Sequence, residues 1–145
     1  MAVQAMPDGD HSVTPYLVVP GVATLLDFLT QAFEAHELHR LPRPDGTIMP
    51  AEVRIGDSCV MLGEPRCEAQ PLLGALSLYV HDVDAVYTRA ARGRDLDECA
   101  RGPVLWRRNA GLKDPVGNPW WIATHQEDVP PEEIARRAKA CMQQH

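Results

Sequence analysis

Ala75-Leu-Ser-Leu-Tyr-Val-His-Asp-Val83 is a short β-rich run that ends in Val-x-x-Val and passes directly into a helical pattern. Thr14-Pro-Tyr-Leu-Val-Val-Pro-Gly-Val22 has the same layout, and Val19/Val80 and Val22/Val83 are both 61 positions apart. The turns before the last strand of each half, Gly56-Asp57 and Gly117-Asn118, recur at the same offset of 61. A repeat of this length dictates the architecture, because each copy is one supersecondary unit. Each half therefore reads as a strand passing into a helix and closing on a last strand after a Gly turn, and the chain as an α+β protein.

The elements follow from local chemistry. Val22, Leu25, Leu26, Leu29, Ala32 and Phe33 recur at helical spacing and predict an amphipathic helix of about three turns. In the second unit Asp82 is placed to cap a helix whose buried stripe is Val83, Val86, Tyr87 and Ala90. Ala51 to Ile55 alternates small or apolar residues with charged ones, as a half-buried strand does. Gly56-Asp57 then turns the chain into Ser58-Cys-Val-Met-Leu62, a hairpin signature. Trp120-Trp-Ile-Ala-Thr124 is the closing strand of the second unit. The stretch Arg92 to Trp106 fits less well, since Asp95, Asp97, Glu98 and Arg101 interrupt the strand that the repeat requires there.

The expected organisation is a first module at 11–62, a linker at 63–74 with Pro65 and Pro71, a second module at 75–125 and a helical tail at 126–145. A further linker is expected from Leu41 to Gly46. In the tail, Pro130 and Pro131 start a helix, Glu132 and Glu133 suit its first turn, and it is expected to pack on the outside.

Composition bounds the partners. A chain of 145 residues with 45% hydrophobic and 23% charged residues can bury a real core. The formal net charge of −6 argues against nucleic acid, which needs a concentrated basic face. No stretch of eighteen apolar residues and no apolar leader is present, so a cytoplasmic location with no membrane partner is expected. Cys59, Cys67, Cys99 and Cys141 lack Cys-x-x-Cys spacing and read as reduced thiols.

Four segments resemble the vicinal-oxygen-chelate superfamily of glyoxalases, extradiol dioxygenases and bleomycin- and fosfomycin-resistance proteins, most of all its PhnB-like branch. They are Thr14-Pro-Tyr-Leu-Val-Val19, Ala51-Glu-Val-Arg-Ile-Gly-Asp57, Tyr79-Val-His-Asp-Val-Asp-Ala85 and the long Asn109-Ala-Gly-Leu-Lys-Asp-Pro-Val-Gly-Asn-Pro-Trp-Trp-Ile-Ala-Thr-His125. The resemblance implies two βαβββ modules forming a curled mixed sheet around a cleft, the glyoxalase/bleomycin-resistance fold, often as a homodimer. That fold hosts many chemistries and names none of them.

Metal-dependent members of the superfamily carry His, Gln or Glu on the first and last strand of each module. Transferred to this chain, those positions fall on Thr14, Val60, Ala75 and Trp121. Hydrocarbon, an indole and one hydroxyl do not hold a divalent cation, so no metal and no cofactor are expected. No histidine pair has the i, i+4 spacing of a helical metal site; His36 and His39 read as an exposed helix end.

Strand alternation from these positions predicts a ligand-binding lining of Tyr16, Val18, Val60, Leu62, Ser77, Tyr79 and Trp121, with Trp106 and Asn109 adding an aromatic wall and an amide. Tyr16 and Tyr79 fit a packed core equally well. Which of Trp120 and Trp121 faces the ligand depends on a register that one residue reverses. Glu52 is both a ligand-binding and a catalytic candidate, because burial beside an apolar cleft raises a carboxyl pKa; pairing with Arg54 or Lys113 at a strand edge is the competing reading. The expected function is metal-independent binding and sequestration of an aromatic or amphipathic metabolite or antibiotic. The alternatives are a lyase, isomerase or cyclase using Glu52 or a tyrosine as acid or base, and a glyoxalase-like metalloenzyme with rearranged ligands.

Overall fold

A computed structural model of the chain describes residues 2–66, 70–92, 99–104 and 107–143, with side chains outside 99–104 and 107. The first half runs β1 (Tyr16–Val18), α1 (Val22–Phe33), β2 (His36–Pro42), β3 (Ile48–Ile55) and β4 (Ser58–Gly63). The second runs β5 (Leu76–Tyr79), α2 (Val83–Ala91), β6 (Cys99–Val104), β7 (Arg107–Lys113) and β8 (Pro119–His125), followed by α3 (Pro131–Gln143). The strand orders β1-β4-β3-β2 and β5-β8-β7-β6 are the same, and in each the first strand lies parallel to the last. The fold is α+β, two βαβββ modules with a C-terminal helix. The chain divides into two compact units, 1–75 with 114–118 and 76–113 with 119–145.

In the first unit α1 buries Val22, Leu25, Leu26, Phe28, Leu29, Ala32 and Phe33, the expected stripe with Phe28 added. Phe28 meets Phe33 edge to face at 5.5 Å between ring centroids. Cross-strand partners share a face of a sheet. Leu17, Leu62 and Ala51 are one such row and Val60 and Val53 another, and all five are buried. These rows face α1, which contacts β3 and β2.

The cap of α1 comes from a distant residue. Gly21 sits at φ 82 and offers no side chain. Glu64 instead accepts the Gly21 N–H (3.1 Å) and the Val22 N–H (3.4 Å) on one carboxylate oxygen and the Ile48 N–H on the other. An anion at a helix N-terminus satisfies orphan donors and opposes the helix dipole. At the other end Glu34 adopts φ 55 and turns the chain into β2. His36 and His39 consequently lie on an edge strand, correcting the helix-end reading, and the strand extends into the expected 41–46 linker.

The expected 63–74 linker also carries structure. Besides Glu64, Leu72 exchanges backbone hydrogen bonds with Val18 at 2.8 and 3.1 Å. The turn Asp114-Pro-Val-Gly-Asn118 belongs to this unit. Asp114 Oδ1 accepts from the Val116 and Asn118 N–H groups, each at 3.0 Å. Asn118 Oδ1 accepts the Gly74 N–H at 3.0 Å. The large majority of buried polar groups in folded proteins are bonded in this way.

In the second unit Asp82 caps α2 by accepting the Asp84 (3.1 Å) and Ala85 (3.2 Å) N–H groups, as read from the sequence. Val83, Val86, Tyr87 and Ala90 are its buried stripe. Opposite them Ala110, Leu112, Trp120 and Ile122 are buried on one face of β7 and β8. Arg108 grips Asp84 of α2 with two hydrogen bonds, at 2.7 and 3.1 Å.

The strand at Cys99–Val104 forms where charged residues were expected to interrupt it. Its ladder with β7 is made by backbone groups that are indifferent to side-chain polarity, with a register shift between Cys99 and Gly102. Residues 93–98 lie outside the described residues. α3 buries no side chain and is laced by Glu133 with Arg136 and Arg137 and by Glu127 with Arg137.

Candidate functional site

Within each unit, among the described residues, the helix packs on one face of the sheet and leaves the other, the uncovered face, free of that helix. In the second unit the uncovered face is built from Ser77 paired with Trp121, and Tyr79 with Ala123, across β5 and β8; beyond them Gly111 pairs with Trp121 and Asn109 with Ala123. Adjacent tryptophans on a strand must point to opposite faces. Trp120 is 2% exposed against α2, whereas Trp121 is 39% exposed and Tyr79 is 57% exposed on the uncovered face. The residues paired beside these rings are small, Ala123 next to Tyr79 and Gly111 next to Trp121. Asn109 adds an Oδ1 that is buried and has no hydrogen-bond partner among the described residues. A buried acceptor left unpaired costs about 1–3 kcal/mol, which a donor on a bound molecule recovers.

The C-terminal ends of the parallel strands β5 and β8 add a second feature. Tyr79, Val80, His81, Thr124 and His125 line an open cavity of about 400 Å³. Thr124 accepts the Val83 N–H at 2.9 Å and donates to the Val80 carbonyl at 3.0 Å, on the helix side of β8. His125 is held by Asp128 at 2.8 Å.

In the first unit the uncovered face carries Tyr16, Met61, Glu52 and His39 in one cross-strand row, with Arg54 and Cys59 in the next but one. Tyr16 is 41% exposed and its ring lies over Gly63, where an added Cβ would stand 2.7 Å from the phenol oxygen. The Glu52 side chain is 16% exposed, and one of its oxygens lies 3.9 Å from His39 Nε2. Arg54 is turned away to the Gly9 carbonyl at 3.2 Å. Asp10, Glu52 and Cys59 present one ligand atom each within 4.8 Å of one another. Burial, and then the hydrogen bond with Asp10, push the Cys59 thiol up to about 11.

Of the residues expected to line a site, Tyr16, Val18 and Glu52 are on the uncovered face of the first sheet, and Ser77, Tyr79, Asn109 and Trp121 on that of the second. Trp106 lies outside the described residues. Val60 and Leu62 are on the opposite side, buried against α1. The cause is a slip in the repeat. Tyr16 and Ser77 are 61 positions apart, but their strand partners Met61 and Trp121 are 60 apart. A constant offset of 61 carried to the last strand therefore selects Val60 instead of Met61 and reverses every side chain.

Asp10, Cys59, Met61, His81 and His125 were not singled out for a site. For Cys59 and Met61 the signal was present: a two-residue turn at Gly56-Asp57 places Met61 opposite Glu52 and Cys59 opposite Arg54. Pro7-Asp8-Gly9 announces the turn that delivers Asp10, whose N–H bonds the Pro7 carbonyl at 3.1 Å with Gly9 at φ 85.

No family model matches the chain. It is 32% identical over 146 residues to the uncharacterized protein Mb0911c of Mycobacterium bovis, covering 92% of this chain and 93% of that protein. Among solved structures it is similar to TioX from Micromonospora sp. ML1, with a TM-score of 0.64 and 21% identity over 83% of this chain and 100% of that one. It is equally similar to TnmS3, an antibiotic binding protein from Streptomyces sp. CB03234, at TM-score 0.65 and 22% identity over 86% and 100% of the two chains. These likenesses establish a shared fold.

Proposed function

The chain belongs to the family of the mycobacterial protein Mb0911c and has the fold of the vicinal-oxygen-chelate superfamily, and on that premise we propose that it binds and sequesters a small aromatic or amphipathic molecule without needing a metal ion. One observation carries this reading. Trp121 and Tyr79 keep 39% and 57% of their surface exposed on one face of one sheet, with Ala123 beside them and the unpaired Asn109 Oδ1 within the same face. Leaving two large rings in water costs apolar burial that a flat ligand restores by stacking. A few polar groups at the margin then orient it. The structural neighbour TnmS3 is an antibiotic binding protein, which makes natural-product antibiotics the first class to try.

The test is titration of the full chain, in chelator, with a panel of aromatic natural products, following tryptophan fluorescence and calorimetry. Micromolar binding that Trp121→Ala weakens about 30-fold or more, the effect of losing an aromatic anchor of about 2 kcal/mol, supports it. Absence of any micromolar ligand across the panel sinks it. A homodimer and a cytoplasmic location belong to the same proposal; no described helix is long and apolar enough to cross a membrane.

A second reading is favoured by the environment of Glu52. A largely enclosed carboxyl beside His39 suits acid–base work in a lyase, isomerase or cyclase. Turnover that survives chelation and disappears in Glu52→Gln would establish it in place of sequestration.

A further inference from the structure

The first unit brings together a donor set that ligand binding on the second sheet does not use. Asp10 arrives on the turn made by Pro7, Asp8 and Gly9, and that turn is tied down by Arg54, which donates to the Gly9 carbonyl at 3.2 Å. Glu52 reaches the same place from β3 and Cys59 from β4, since Glu52 opposes Met61 and Cys59 is two residues before it on the same face. One ligand atom from each lies within 4.8 Å of the other two. This is not a patch of solvated carboxylates: the Glu52 side chain is 16% exposed, and Cys59 is 5% exposed.

We infer that Asp10, Glu52 and Cys59 form a binding site for a divalent transition-metal cation of the zinc type. The donors decide the class. Two carboxylates with one sulfur are too soft a set for magnesium or calcium, which take oxygen ligands, and too oxygen-rich for copper(I). Zinc accepts carboxylate oxygen at about 2.0–2.2 Å and thiolate sulfur at about 2.3 Å, usually with four ligands. The three ligand atoms already lie within 4.8 Å of one another, close to the spacing that a shared centre with bonds of about 2.0–2.3 Å imposes. On coordination the Cys59 S–H bond breaks, its proton passes to solvent, and the sulfur lone pair forms the bond to the cation. His39 Nε2 lies 3.9 Å from a Glu52 oxygen, near enough for a weak ion pair when the imidazole is protonated. Glycine at position 9 is part of the arrangement, because its φ of +85 is a conformation that residues with a Cβ rarely adopt.

The probe is cobalt(II) added to the full-length chain under reducing conditions, with zinc as competitor. One cobalt per chain is expected, with the near-ultraviolet band of thiolate-to-cobalt charge transfer, and zinc should abolish the band. Cys59→Ser should remove the band, and Asp10→Asn and Glu52→Gln should each weaken binding at least about tenfold. Cys141→Ser, in a residue exposed on α3, should change nothing. The Asp10 and Glu52 variants preserve side-chain shape, so loss of binding in a chain with unchanged circular dichroism reports on the site. The inference is overturned by absence of the band, by a band that survives Cys59→Ser, or by loss of binding in Cys141→Ser. Ligand titrations run in chelator are independent of all three outcomes.

Discussion

Asn118 donates from Nδ2 to Asp114 Oδ2 across 2.8 Å, both residues buried in a turn contributed to the first unit by the second half of the sequence. The same amide accepts the Gly74 N–H, and the same carboxylate accepts two backbone N–H groups of its own turn. Asn118→Ala removes one partner from Asp114 and the only side-chain acceptor recorded for Gly74 among the described residues. The expected cost is about 2–4 kcal/mol, the range for breaking a buried network. Urea unfolding should show a lower midpoint with an unchanged slope.

The two tryptophans of β8 should respond oppositely. Trp120→Ala opens a cavity against α2 and should destabilise by about 3–5 kcal/mol. Trp121→Ala removes an exposed ring and should cost less than about 1 kcal/mol while weakening ligand binding. Paired denaturation and binding curves for the two variants check this. Equal destabilisation would contradict the assignment of their faces.

Glu64→Ala should weaken the start of α1. The carboxylate serves the Gly21, Val22 and Ile48 N–H groups, and Gly21 has no side chain to replace it. A lost cap costs about 0.5–2 kcal/mol. Faster hydrogen exchange confined to the first turn of α1 is the expected signature.

Cys59 should be inert to alkylation in the folded chain at pH 8, while Cys141 reacts. Its thiol is raised from 9.0 to about 11 by burial and then by Asp10. The native state therefore keeps a proton that the unfolded state has lost. The associated stability is complete below pH 9 and disappears as pH rises towards 11. Alkylation rates followed by mass spectrometry, with unfolding midpoints across that interval, test both halves of the statement.

Glu133 behaves in the opposite sense. Hydrogen bonds from Arg136 and then Arg137 lower its carboxyl from 4.5 to about 2. Its contribution to α3 is present above pH 4.5 and is lost as pH falls through about 2. Because these pairs are solvent-accessible, the effect should be small and should shrink in salt. Local amide exchange in α3, rather than the global unfolding midpoint, should register it.

Much of the architecture was legible because short-range chemistry declares it. The α1 and α2 stripes follow from 3.6-residue spacing, and the cap at Asp82 from one carboxylate before an apolar run. The β3–β4 hairpin follows from Gly56-Asp57. What misled was a long-range assumption. One constant repeat offset placed Val60 and Leu62 on the wrong face, although the hairpin turn already required Glu52 to share its face with Met61. Strand β2 escaped notice because an exposed edge strand carries no alternating pattern, and β6, which the repeat required, was obscured by the charged residues around it. The role of Glu64 escaped because a cap delivered from 42 and 43 residues away has no local sign.

By itself the sequence determined two related units, each a strand passing into a helix and closing on a final strand, and a pair of adjacent tryptophans of which only one could be buried. Those features depend on periodicities of two and 3.6 residues, which every stretch of chain carries within itself. Only the tertiary structure decided that Trp121 is the exposed one, and that Asp10, Glu52 and Cys59 meet. Side-chain convergence depends on strand register and on where a distant turn is anchored, and neither is encoded in the residues that converge.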